Sequence, residues 1–210
     1  MATINRPAAR GFYVGLAIGQ IWLSLVSTSF VSLLWILGQN TVQISLILVS
    51  VGLIGLILLG ASIVLLRSAW RLPGDISSES AARSRALGRK MGLRFGLVVL
   101  AEVVVIGAIN TALYQTNHGD WVVPLTYFIV GLHFVPLAFV FRVRPYIILG
   151  LLWMIVILLT VILIPASMMV GQGLGAWVFF PISGCGLATW IVLAYILGTN
   201  MKRVYHLRVS

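Results

Sequence analysis

Six apolar stretches joined by short connectors take up most of this chain, and each is long enough to cross a bilayer. A spanning helix needs about 20 mostly apolar residues to cover a hydrocarbon core of roughly 30 Å. Periodicity and interruptions predict helices over residues 11–37, 42–66, 94–114, 121–141, 146–169 and 174–200. With 60% hydrophobic and 9% charged residues, the chain lacks the charge that solvates a water-soluble surface. The expectation is an all-α integral membrane protein in which residues 1–210 form a single transmembrane domain. The first stretch is longer than a signal peptide's apolar region and has no small-residue cleavage site, so it is expected to be retained. Trp121, Tyr146 and Trp177 fall near the proposed interfaces, where amphipathic rings are favoured.

The net charge of +10 suggests nucleic acid until the basic residues are placed along the chain. All 14 fall into one topological set. Arg6 and Arg10 precede helix 1. Arg67, Arg71, Arg83, Arg85, Arg89, Lys90 and Arg94 lie between helices 2 and 3, Arg142 and Arg144 between helices 4 and 5, and Lys202, Arg203 and Arg208 at the end. The opposite connectors, 38–41, 115–120 and 170–173, hold no Lys or Arg. By the positive-inside rule both termini are cytoplasmic, in keeping with an even number of spans. The charge thus reads as topology rather than nucleic-acid binding, and the setting as a cell membrane, taken to be the bacterial cytoplasmic membrane. The basic segment 67–93 is expected to be a solvated or lipid-adjacent loop, with anionic lipid head groups as partners. Residues 77–89 form an alternative short interfacial helix carrying Arg83, Arg85 and Arg89.

Gly11, Gly15 and Gly19 recur every fourth residue on helix 1, a groove where another helix backbone can approach, whether in this chain, a second copy or a partner. Gly184 and Ala188 give helix 6 a shorter stripe. Helix 5 is apolar on nearly every face, which points it toward lipid, with helices 1 and 6 in protein contacts. Cys185 is the single cysteine, so no intrachain disulfide or cysteine metal cluster can form; between Gly184 and Gly186 it reads as a small packing residue.

Ionisable side chains at membrane depth are costly and call for a partner. Glu102 lies eight residues beyond Arg94, and His133 nine residues before Arg142. At about 1.5 Å of rise per residue, both stand roughly 12 to 14 Å above the arginines. Helices 3 and 4 share a short connector and so are expected to be antiparallel neighbours, with Glu102 and His133 in contact. By the same count Gln20 lies at about 15 Å and is a candidate to join them. Asn110 and Thr126 lie farther outward on the same two helices and extend a prospective polar path. Pro136 removes a backbone hydrogen bond to the carbonyl of Leu132 and is expected to shape helix 4 beside His133.

His118 and His206 fall in opposite aqueous regions, and Ser183 lies at the wrong depth for His133, so bis-histidine haem and serine-histidine hydrolase arrangements are not expected. Ser62 has no nucleophile motif around it. With no phosphate loop and no metal-ligand spacing, no cofactor, metal or catalytic residue is assigned.

The segment Gly131-Leu132-His133-Phe134-Val135-Pro136-Leu137-Ala138-Phe139-Val140-Phe141, followed by Arg144-Pro145-Tyr146, resembles a motif in a family of small bacterial multi-pass proteins of unknown function. The resemblance implies that His133, Pro136 and Phe141 belong to a shared feature, and it implies no activity.

These features lead to the expectation of a membrane protein that binds or moves a small solute or proton through Glu102 and His133, with Gln20 and Asn110 as polar support. Two other classes stand beside it: a structural or assembly subunit docking through helix 1, and a membrane-embedded enzyme acting on lipid, with Glu102 or His133 as base.

Overall fold

The computed structural model describes residues 6–38, 43–72, 78–141, 143–171 and 173–209. Its helices are α1 (Arg6–Gly38), α2 (Gln43–Trp70), α3 (Ser78–Gln115), α4 (Val122–Phe141), α5 (Pro145–Leu163) and α6 (Ala176–Val209). Each of the six holds a run long and apolar enough to cross a membrane, which makes this a multi-pass membrane protein by length and composition.

Local chemistry ends the helices where the chain reverses. At the end of α3, Asn117 adopts φ 58°, the His118 N–H donates to Leu113 O at 2.8 Å and the Asn117 N–H to Tyr114 O at 3.3 Å. That pair of bonds is a Schellman motif, which satisfies the last carbonyls of a helix and turns the chain sharply. A single 3-10 turn, Gly119–Trp121, then leads into α4. Pro145 opens α5, where its missing N–H costs nothing. Ile164, extended ahead of Pro165, closes α5 earlier than the predicted residue 169, since the residue before a proline is driven out of the helical region. The following connector contains two paired strands, β1 (Met169–Val170) and β2 (Leu174–Gly175). Gly171 (φ 61°) and Gly173 (φ 108°) permit the reversal between them.

The segment 67–93 departs from the expected loop. Residues 67–70 complete α2 and residues 78–93 begin α3, while 73–77 lie outside the described residues. Ala, Leu, Arg and Lys dominate the start of α3 and propagate helix well once the apolar span has nucleated it. At 38 residues, α3 measures about 57 Å, well beyond the thickness of a hydrocarbon core.

The helices pack unequally. α1 lies against α2 and α6, α5 lies between α4 and α6, and α3 rests mainly on α4. As expected, α1 and α6 are in protein contacts: 56% of the α6 span is buried. None of the α3 span is. Helix 5 therefore is not the peripheral member. It buries Tyr146, Leu149, Gly150, Ile157 and Thr160 on one stripe, and α3 takes the outer position. An all-round apolar surface suits a protein neighbour as well as lipid, so hydropathy does not separate the two.

Small residues bring the backbones together, as they do where helices associate in lipid. A Cβ on Gly150 would run into the carbonyl oxygen of Gly131, so α4 and α5 cross backbone to backbone. Gly184 accommodates Val156 between α6 and α5, Gly186 accommodates Val31 between α6 and α1, and Gly55 accommodates Thr28 between α2 and α1. On α1, Gly19 faces the Tyr146 hydroxyl, nothing lies within 4 Å of where a Cβ on Gly15 would stand, and the surroundings of Gly11 lie outside those described.

Candidate functional site

α3 turns one narrow stripe inward. Val99, Glu102, Ile106, Asn110 and Leu113 are half-buried at three- and four-residue spacing, while Leu100, Val103, Val104 and Val105 are exposed. Glu102 is the carboxylate on that stripe. His133 of α4 meets it, with Nδ1 3.0 Å from Glu102 Oε2 and side chains only 9% and 15% exposed respectively. The approach has the distance of an ion pair but not the alignment of a hydrogen bond, since His133 Nδ1 has no partner that meets hydrogen-bond geometry. Of the residues expected at one depth, Glu102 and His133 stand together.

Outward along the same interface the Thr126 hydroxyl donates to Asn110 Oδ1 at 3.2 Å. Eight residues separate Asn110 from Glu102, or about 12 Å along the helix. Apolar Ile106 and Val130 fall between the two contacts in sequence. The polar path expected along these helices is therefore two separate ties with an apolar turn between them.

Gln20 is elsewhere. It is fully buried on α1, and its Nε2 donates to the Tyr146 hydroxyl at 3.3 Å. Successive residues of a helix point about 100° apart, so His133 and Phe134 serve different neighbours. Phe134 packs its ring on Tyr146 at 6.1 Å and Trp153 at 5.4 Å, within the α4–α5 core. Tyr146, at the start of α5, is buried in the bundle at 6% exposure. Pro136 lies within α4 on an exposed position, and a second internal proline, Pro181, is buried in α6.

The interior holds further neutral polar contacts that the helix-by-helix reading missed. Ser24 donates to Gly55 O at 3.3 Å, the Trp190 indole donates to Ser27 Oγ at 3.1 Å, and the Trp153 indole donates to Thr189 Oγ1 at 3.1 Å. Gln20, Ser24 and Ser27 recur at steps of four and three along α1, a legible polar face. Ser62 turns its hydroxyl back to Leu58 O at 2.7 Å, and Cys185 is buried as a free thiol. Among the described residues no three His, Cys, Asp or Glu side chains gather as a metal site.

Glu102 and His133 can share, accept or release a proton and can hydrogen-bond a small polar guest, and histidine does so near neutral pH. No family model, curated protein or solved structure matches this chain. The resemblance carried by residues 131–141 accordingly brings no assignment to it.

Proposed function

We propose that this multi-pass membrane protein, its basic end in the bacterial cytoplasm and both termini on that side, binds or moves a proton or small polar solute through Glu102 and His133. One observation supports the reading: the two side chains stand 3.0 Å apart within otherwise apolar spans. A carboxylate and an imidazole at that depth are costly, and such residues line ion, proton or solute sites when they persist. Asn110 and Thr126 brace the same helix pair. The experiment is solute or proton flux in liposomes across a pH series. Flux in the wild type that Glu102→Gln abolishes is the expected result; unchanged flux in that variant removes the proposed role.

A second reading is favoured by the position of α3, which rests mainly on α4. Here the pair fastens a peripheral helix, and a polar tie of that kind contributes about 1 kcal/mol in lipid. It predicts a stability loss in Glu102→Gln and His133→Ala without any flux in the wild type.

A further inference from the structure

We infer that Gln20 and Tyr146 together hold a buried water molecule between α1 and α5, at a neutral polar site distinct from Glu102 and His133. Gln20 is 0% exposed, yet its Oε1 has no hydrogen-bond partner among the described residues. Its bond among the described residues, 3.3 Å from Nε2 to the Tyr146 hydroxyl, lies at the long end of the useful range. A primary amide carries two donors and a two-lone-pair acceptor, and a phenol both donates and accepts.

With Nε2 on the Tyr146 hydroxyl, the enclosed Oε1 is left over, which native interiors resolve with a protein partner or an ordered water.

The guest's chemistry follows from the walls. Among the described residues, the buried side chains of the same two helices are apolar, such as Leu16, Ala17 and Leu149, or polar and neutral, such as Ser24, Ser27 and Thr160, and none is a carboxylate or a basic group. An ion would have no counter-charge, whereas water can donate to Gln20 Oε1 and accept the Tyr146 O–H; buried waters typically make about 3 such bonds. Gly19 leaves the hydroxyl uncrowded, since even a Cβ there would stand 3.7 Å from it. Phe134, packed on the Tyr146 ring, belongs to the α4 face turned away from Glu102, so this water does not depend on the protonatable pair.

The test is water-edited solid-state NMR on the full chain in lipid bilayers, with labelled glutamine, alanine and leucine. The Gln20 amide is identified by the resonance lost in Gln20→Leu. Magnetisation from water should reach it several-fold faster than it reaches Ala17 and Leu16, and Tyr146→Phe should slow that transfer several-fold. Transfer to Gln20 no faster than to Ala17 in the wild type overturns the site without recourse to any variant. Transfer unchanged by Tyr146→Phe overturns the shared anchoring.

Discussion

The seam between α3 and α4 and the seam along the inner face of α1 answer the same problem with opposite chemistry. Along α1 the polar groups are neutral and enclosed: Gln20 with Tyr146, Ser24 with Gly55 O, Ser27 with Trp190. Between α3 and α4 the central contact is ionisable, and it sits where one partner helix is peripheral and Glu102 retains 15% exposure. A neutral amide or hydroxyl can be enclosed if it finds a partner, whereas a carboxylate sealed in an apolar core faces a much larger desolvation cost. Among the described residues the bundle thus sets its carboxylate–imidazole contact against its most exposed helix and encloses the neutral hydrogen bonds of α1.

The crossing of α4 and α5 joins the two regions, and disturbing it gives the largest expected effect. Gly150→Ala drives a methyl group into the Gly131 carbonyl, and overpacking of this kind costs about 1 to 3 kcal/mol. Thermal unfolding in detergent should show that loss at every pH; wild-type stability would mean the backbones do not meet there. Next comes the ionisable seam. A double-mutant cycle on Glu102→Gln and His133→Ala should return a coupling of about 1 kcal/mol whose size changes between pH 5 and 8, because histidine's ordinary pKa of about 6.5 falls in that window. Zero coupling at all pH values would dissolve the contrast.

The neutral seam should respond more weakly and without pH dependence. Trp190→Phe removes the indole bond to Ser27, worth about 0.6 kcal/mol on average in membrane proteins, and Ser27→Ala removes that bond together with the hydroxyl's own donation to Leu23 O. Equal losses at pH 5 and pH 8 are expected, and a loss that tracked pH would place a titrating group in this core. The smallest effect is expected from Thr126→Val, which frees the half-buried Asn110 amide to find another partner. Its unfolding midpoint should reflect a change within about 0.5 kcal/mol.

Much of this contrast could be read from residue order, and its limits have physical causes. Rise per residue is nearly constant, so counting from the arginines set Glu102 and His133 at one depth, and the short connector made α3 and α4 neighbours. Depth does not specify azimuth. Gln20 falls at the same depth by count yet turns to Tyr146, whose ring packs on Phe134. The nearly all-apolar composition of helix 5 points it toward lipid, yet Gly150 is what lets α4 close on it. The helical start of α3 at Ser78 was hidden by serines and arginines that suit a loop as well as a solvated helix.

Glu102 and His133 are proposed to form one coupled protonatable site. Its most direct test is thermal stability of the purified protein from about pH 5 to 8, the range in which histidine titrates, for wild type, Glu102→Gln and His133→Ala. A transition in the wild type that both variants lose while remaining folded is the predicted result. A wild-type profile without a transition, or variants that lower stability equally at every pH, would contradict it and leave the pair as a fastening between two helices.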